Sequence, residues 1–280
     1  MITETLRARQ SFSDIALLDE ATLPLDRAAL TIALEEYPEL DIPAYLRKMD
    51  TLAARAEVLI GVDRTAVNMI EGINEVLYVQ EGLRGNNEDY YDPKNSYLNE
   101  VLDRRLGIPI SLSVIYMEVA KRIDFSIQGI GFPGHFLTKH VAGDRDIIID
   151  AFNLGRILTL NDCQELLDKI HKGSMEVNAS LLQPMGKRTI LTRMLYNLKG
   201  IYTQKEQYFK ALSVIDKILM LNPWTPSELR DRGLLYMQTS LFAKALADLE
   251  SYLTRAAAPE DSSYIENHIR MLRSIVCASN

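Results

Sequence analysis

Residues 95–113 read NSYLNEVLDRRLGIPISLS, and this stretch decides the fold of the first part of the chain. Ser96 is a favourable N-cap residue, and the short helix that it would begin ends near Gly107. Pro109 then opens a second, strongly apolar helix that runs to about Ile123, because proline is tolerated in the first turn of a helix. The stretch therefore predicts two consecutive helices joined at a glycine.

The apolar periodicity changes on either side of this stretch. Three segments before it carry apolar side chains at the spacing of amphipathic helices, namely residues 26–36, 43–60 and 65–80. Three short runs after it are rich in β-branched and aromatic residues, as in strands of a small antiparallel sheet, namely residues 126–132, 135–141 and 146–152. We therefore predict an α+β domain over residues 1–183, with a helical part at 1–94 and a core at 95–183.

The last third of the chain repeats itself with a period of 34 residues. The residue pairs separated by this period are Tyr202 and Tyr236, Ala211 and Ala245, Leu212 and Leu246, Leu195 and Leu229, and Ile215 and Leu249. Such a period indicates helix hairpins that stack as a solenoid, and these positions resemble the tetratricopeptide (TPR) pattern. The departures are Lys199, where the pattern has a glycine, Arg232, where it has a leucine, and Ala257, where it has a proline. We predict an all-α, TPR-like module over residues 184–280, with two repeats and a capping helix at 262–275.

Composition argues against several classes of protein. The chain of 280 residues is 47% hydrophobic, and its net charge of -7 disfavours a nucleic-acid partner, because binding phosphates needs a concentrated basic surface. Cys163 and Cys277 alone can build neither a disulfide framework nor a four-cysteine zinc site, and they fit a reducing compartment. The sequence shows no signal peptide and no apolar run of about 20 residues. We expect a cytoplasmic protein with no cofactor, no metal and no membrane or nucleic-acid partner.

One histidine and one aspartate stand out as candidates for chemistry. The segments GFPGHF (131–136) and DIIIDAF (146–152) place His135 and Asp150 on what we predict to be neighbouring short strands. A histidine oriented by a carboxylate supplies two members of a nucleophile, histidine and acid triad. Alternatively, the two side chains form a buried, hydrogen-bonded pair with a structural or ligand-binding role.

These segments together resemble a known group of proteins. The stretch at 95–113, followed by the histidine and aspartate segments, resembles the transglutaminase-like superfamily. With the TPR-like repeats, the whole chain is similar to a bacterial family of the invasion-regulator type. The resemblance implies an active site of a cysteine at the start of the central helix, a histidine and an aspartate. Gly107, His135 and Asp150 match that pattern, but Pro109 stands where the cysteine is expected.

The missing cysteine leaves two hypotheses for the function. Proline has no nucleophilic atom, and the remaining candidates are Ser111 and Ser113 on the same helix and Cys163, the only thiol of the domain. The two serines can instead have a structural role, either in a first-turn hydrogen bond or as small residues that allow close packing. The cysteine can instead be an ordinary buried apolar residue. The first hypothesis is a non-catalytic domain (a pseudoenzyme) that binds proteins or peptides through the TPR module or the remnant cleft. The alternative is a hydrolase or acyltransferase that uses one of these nucleophiles with the histidine and aspartate.

Five residues near the central stretch are candidates for the rim of a cleft: Tyr90, Tyr91, Asp92, Asn95 and Arg105. The two tyrosines either line the cleft or pack their loop against the domain. Arg104 and Arg105 either pair with nearby acids such as Asp89 and Asp92 or bind a phosphate or carboxylate. The sequence alone does not specify the partner or the oligomeric state.

Overall fold

The computed structural model describes residues 2–143, 145–173 and 175–278. The chain forms two compact units, residues 1–194 and 195–280. Helices dominate both units, and a small antiparallel sheet lies in the first, which confirms the predicted α+β class. The domain boundary at residue 183 stays a prediction.

The first unit begins with four helices. They are α1 (Ile2–Ala16), α2 (Leu25–Thr31), α3 (Ile42–Ile60) and α4 (Ala66–Asn74), and a π-helical turn (Glu75–Gln80) follows α4. The Asp41 carboxylate caps α3 by accepting from the Ala44 amide at 3.0 Å. The Thr65 hydroxyl caps α4 in the same way. These caps explain where the two predicted helices begin.

The central stretch forms two helices, as predicted, but the first begins later than expected. It is α5 (Leu98–Arg104), and α6 follows it (Pro109–Arg122). Ser96 does not cap α5; Tyr97 occupies the N-cap position, because Ser96 ends a preceding 3₁₀ turn with helical backbone angles. Between the helices, strand β2 (Leu106–Gly107) pairs in parallel with strand β1 (Arg84–Gly85).

Helix α6 is the centre of the first unit. Eleven of its fourteen residues are buried, so it has no solvent-facing stripe. A helix that is apolar on all sides must be surrounded by other elements. Contacts from α2, α3, α5 and the strands surround it accordingly.

The predicted sheet is present and antiparallel throughout. Its strands, in spatial order, are β3 (Gln128–Ile130), β4 (Leu137–Ala142), β5 (Arg145–Asp150) and β6 (Arg156–Leu158). Helix α7 (Leu160–His171) follows and packs on a core that includes Phe132 and Leu167. The prediction that His135 lies on a strand is wrong. Gly134, at a φ of 67°, turns the chain, and the strand begins only at Leu137.

The C-terminal unit consists of helix hairpins. Its helices are α8 (Lys187–Gln204), which enters from the first unit, α9 (Tyr208–Leu221), α10 (Pro226–Gln238), α11 (Phe242–Arg255) and α12 (Ser262–Ala278). Ala211 and Ala245, which are 34 residues apart, are both fully buried, as the repeat requires. The two predicted hairpins and the final helix are confirmed. In the described part of the chain, no helix combines the length and apolar character that spanning a bilayer requires.

Two of the departures from the TPR pattern are ion-paired within this unit. The Lys199 ammonium lies 2.7 Å from both Glu228 and Asp231. The Arg232 guanidinium binds Asp248 through two nitrogens and Asp216 through the third. Charge pairing therefore replaces the small or apolar side chains of the pattern at these two positions.

Candidate functional site

His135 and Asp150 form a buried, hydrogen-bonded pair. Nε2 of His135 lies 3.0 Å from Oδ1 of Asp150, and the two side chains are 8% and 2% exposed. Asp150 is the last residue of β5 and caps the 3₁₀ turn Ala151–Asn153, accepting from the Phe152 and Asn153 amides. Its Oδ2 accepts from Nδ2 of Asn153 at 2.7 Å. The aspartate thus holds both the histidine ring and the turn that follows the strand.

Electrostatics keep Asp150 ionised. Burial raises the pKa of Asp150, but the hydrogen bond from His135 and those from Asn153 outweigh it, so this pKa lies below its usual value. Because an ionised carboxylate only accepts, we assign a proton to Nε2 of His135. Nδ1 then has no hydrogen-bond partner among the described residues.

The lowered pKa of Asp150 predicts a pH-dependent stability. A carboxyl whose folded-state pKa is depressed stabilises the fold above its unfolded pKa, near 4, and loses this contribution as pH falls through the folded pKa. The stability gap between wild type and Asp150→Asn should therefore be full at neutral pH and shrink below about pH 4. Urea unfolding at a series of pH values measures it. A gap that stays constant into strong acid would contradict the prediction.

Neither serine on α6 is hydrogen-bonded to His135. The Ser111 hydroxyl donates to the Asn95 carbonyl at 2.6 Å and accepts from the Ile108 amide at 3.1 Å, so it caps the start of the helix. Ser113 is fully buried, and its hydroxyl has no partner among the described residues. Pro109 occupies the first helical position, as predicted, and is itself buried. Among the described contacts, the hydroxyls at the beginning of α6 therefore make no hydrogen bond to the histidine.

Cys163 lies in the apolar core under the sheet. It is fully buried with Ile130, Leu137 and Leu167, in the first turn of α7. Burial, followed by the negative charges of Asp162 and Asp150, raises the pKa of its thiol to about 11. The thiolate is the nucleophilic form of cysteine, and at neutral pH this raised pKa favours the protonated thiol.

The two cysteines should therefore differ in reactivity. At about pH 8, iodoacetamide is expected to alkylate the exposed Cys277 of the native protein and to leave Cys163 unmodified, because only an accessible thiolate reacts quickly. Peptide mass spectrometry measures both sites. The urea-unfolded protein is the control, and there both cysteines should react. Complete alkylation of native Cys163 would show that its surroundings open readily.

Two of the candidate rim residues hold the loop before α5 in place. Asn95 is buried, donates to the carbonyls of Asp89 and Tyr90, and accepts from the Asn86 amide group. Asp92 caps a 3₁₀ turn and forms the predicted ion pair with Arg104 at 2.8 Å. Both therefore support the loop that carries the tyrosines.

The other three rim candidates are accessible. Tyr90 and Tyr91 contact each other edge to face, with ring centroids 5.4 Å apart, and both are exposed. Arg105 is also exposed, with left-handed backbone at the end of α5. The alternative that it pairs with a nearby acid is wrong, since no carboxylate pairs with it in the part of the chain that the structure describes. Its carbonyl instead accepts from the Arg84 amide.

Sequence reasoning missed Arg193 of α8. Its Nη2 donates to the His135 carbonyl at 3.0 Å, and its guanidinium lies 5.6 Å from the ring centre of Phe136. Arg193 is 58 residues from His135 and lies in a segment predicted to begin the repeat module, so no local signal marked it. Tyr78 was missed as well. It stacks on Tyr116, and burial first, with the charge of Asp150 contributing, raises its pKa.

The segments that form the central buried helix, the sheet and the oriented histidine lie within a match to a known family. Residues 43–196 match the transglutaminase-like superfamily, and residues 198–270 match the tetratricopeptide repeat. The chain belongs to the transglutaminase-like superfamily and, as its relatives show, to the UPF0162 family.

Bacterial proteins are similar to this chain over most of its length. A UPF0162 protein of Xylella fastidiosa is 38% identical over 92% of this chain and 93% of its own length. One from Vibrio cholerae is 28% identical over the same shares. The F-box only protein 21 of Mus musculus is 36% identical over 48% of this chain, which is 22% of that protein. No solved structure matches the chain.

Proposed function

We propose that the first unit is a non-catalytic transglutaminase-like domain and that the chain acts as a protein- or peptide-binding, regulatory protein. The observation that carries this proposal is a histidine–aspartate pair without a nucleophile. Pro109 occupies the expected cysteine position, and no hydroxyl or thiol hydrogen-bonds to Nδ1 of His135 in the described structure. A triad needs the nucleophile and the base within hydrogen-bonding reach.

The surroundings of the pair support a structural role for it. Asp150 accepts from His135, from two backbone amides and from the Asn153 side chain. This set satisfies a buried carboxylate completely and fixes the turn after β5. A role in folding therefore explains why the chain retains the pair without a nucleophile.

The second unit supports the binding role. TPR repeats generally mediate interactions between proteins, and stacked hairpins provide extended surfaces for this purpose. Trp224, the only tryptophan of the chain, is 85% exposed in the loop before α10, and Phe209 of α9 is 71% exposed. Aromatic side chains of this kind are frequent anchors in protein interfaces.

One observation favours the alternative of a hydrolase or acyltransferase. Nδ1 of His135 and the Ser113 hydroxyl both lack hydrogen-bond partners among the described residues. A rearrangement that brought these two groups together would create a serine and histidine pair oriented by Asp150. Ser113 is the one candidate nucleophile with an uncommitted hydroxyl proton, because that of Ser111 is donated to Asn95.

Activity-based probes separate the two functions. A fluorophosphonate and a cysteine-directed probe are applied to the full chain in a Cys277→Ala background, which removes the exposed thiol. We expect no labelling, and no difference between this protein and its His135→Ala variant. Labelling that disappears in both His135→Ala and Ser113→Ala would establish the catalytic alternative and overturn the binding proposal.

A further inference from the structure

Residues 175–186, which we call the strap, lie between α7 and α8 and pack on an apolar core of the first unit. This core contains Cys163, and the strap side chains that pack against it are those of Met175, Val177, Leu181 and Leu182. None of the residues of the strap is itself buried. The strap therefore covers part of this core while its own side chains stay partly in contact with solvent.

The amide group of Gln164, in α7, holds one end of the strap. Its Nε2 donates to the Met175 carbonyl at 3.0 Å, and its Oε1 accepts from the Val177 amide at 2.8 Å. Nε2 also donates to Asp168 at 2.8 Å, which fixes the orientation of the amide group. An extended chain presents the carbonyl of one residue and the N–H of the residue two further on along the same edge. Gln164 therefore contacts the strap as a neighbouring strand would.

The edge of the sheet holds the other end of the strap. Strand β3 lies at this edge, where the Met185 amide donates to the Gly129 carbonyl at 2.8 Å and Pro184 forms a bridge with Ile130. Gly131 leaves room for the Met185 side chain, since a Cβ there would lie 2.4 Å from the sulfur. Edge strands are sites where an extended peptide can add to a sheet. The strap thus contacts this edge mainly through its main chain.

These contacts favour the release of the strap as one segment. Among the described residues, its hydrogen bonds to the rest of the first unit lie at the two ends, and those of its middle stay within the strap. Segments with few buried residues and few hydrogen bonds open at a low free energy.

The residues that flank the strap stay in place when it opens. At the start of α8, Nζ of Lys187 donates to the carbonyls of Ala21 and Leu23 at 3.1 and 3.0 Å. After α7, Gly173 has a φ of 73°, a conformation that glycine adopts without strain and that suits a hinge. The strap can therefore open without unfolding the helices on either side.

We propose that the strap occupies a groove for extended peptides, and that a peptide with apolar side chains at two alternating positions binds there when the strap is released. The inference rests on the proposed binding function and places one recognition site of that function on the first unit. Gln164 and the edge of β3 bind the main chain, and the core surface around Cys163 receives the apolar side chains. The strap itself shows the pattern that fits, with Met175 and Val177 on the core and Glu176 between them exposed.

Binding of a synthetic strap peptide tests the groove. A fluorescein-labelled peptide with the sequence of residues 175–186 is titrated into the full chain that carries Met175→Ser and Val177→Ser, which weaken the packing of the strap on the core. We expect saturable binding by fluorescence anisotropy. Binding to the wild type should be at least about tenfold weaker, because the tethered strap competes at a high effective concentration.

A control peptide with serine at the same two positions should not bind. The proposal would be overturned by any of three results: no saturable binding to the variant, equal binding to the variant and the wild type, or equal binding of the two peptides.

Release of the strap is measured separately through Cys163, in a Cys277→Ala background. Gln164→Ala removes the hydrogen bonds at one end of the strap and should raise the rate at which iodoacetamide alkylates Cys163 at least about tenfold. The matched control is Gln183→Ala. Among the described residues, the Gln183 side chain donates only within the strap, to the Ala179 carbonyl at 3.1 Å, so its loss should leave the rate unchanged.

Urea unfolding of each variant gives the increase in rate that global unfolding alone would cause. An increase no larger than this for Gln164→Ala, or equal rates for the two glutamine variants, would refute the release of the strap as one segment.

The two proposals can fail separately. If probe labelling shows a nucleophile that depends on His135 while the strap peptide still binds, the non-catalytic proposal fails and the groove stands. If neither labelling nor peptide binding occurs, the groove fails and the non-catalytic proposal stands.

Discussion

Replacing Arg232 by leucine, the residue of the TPR pattern, is expected to lower the stability of the second unit by about 3 kcal/mol. The substitution leaves Asp216 and Asp248, both mostly shielded from solvent, without their shared cation. Removing one partner of such a group costs more than the group contributes, because the remaining charges stay desolvated. Urea unfolding, followed by circular dichroism and by the fluorescence of Trp224, measures the loss.

The matched control for this variant is Arg273→Leu. Arg273 also pairs with an acid in this unit, Glu250, at 2.7 Å, but both side chains are largely exposed. Its loss should cost less than about 1 kcal/mol, as for surface ion pairs generally. Adding Asp216→Asn and Asp248→Asn to Arg232→Leu should recover part of the stability, since no charge is then stranded. Equal losses from the two arginine variants would show that burial does not govern the Arg232 contacts.

Asp150→Ala is expected to destabilise the first unit by about 3–5 kcal/mol. The change removes the acceptor of the His135 ring, of two backbone amides and of the Asn153 amide group, and it strands these donors in a buried place. Unsatisfied buried donors cost about 1–3 kcal/mol each, with partial relaxation where water can enter. Thermal and urea unfolding of the full chain measure the effect.

Glu57→Ala in α3 of the same unit provides the control. Glu57 forms an ion pair with Arg64 at 3.2 Å, and both side chains are exposed, so its loss should cost under about 1 kcal/mol. A wild-type stability for Asp150→Ala would refute the structural role of the pair. Folding would then no longer explain why the chain retains His135 and Asp150 without a nucleophile.

Much of the fold follows from local patterns in the sequence. Pro109 and the apolar run after it predict α6 because proline suits a first turn and a helix apolar on all sides must be buried. The 34-residue spacing of Ala211 and Ala245 predicts the hairpins because each repeat packs in the same way. The predictions from sequence were wrong about where α5 and β4 begin. Ser96 ends a 3₁₀ turn that sequence spacing does not reveal, so Tyr97 and not Ser96 precedes α5. The turn at Gly134 places the start of the next strand after His135.

The site was only partly predictable. His135 and Asp150 could be found because their segments carry recognisable motifs, and Pro109 marked the absent thiol. The hydrogen bonding and burial of the candidate nucleophiles depend on neighbours that are distant in sequence. The Ser111 hydroxyl is committed to the Asn95 carbonyl, and Cys163 is enclosed by strands that precede it by tens of residues. No periodicity encodes such contacts.

The sequence by itself determined the helices, the repeats, the superfamily and the lack of a cysteine at the start of the central helix, because each is a property of neighbouring residues. Only the tertiary structure decided that no nucleophile hydrogen-bonds to His135 and that Arg193 lies beside it. Hydrogen-bond partners, burial and the resulting pKa shifts arise where distant segments meet. The energies of these interactions depend on distances in space, and local sequence patterns do not specify distances between remote segments.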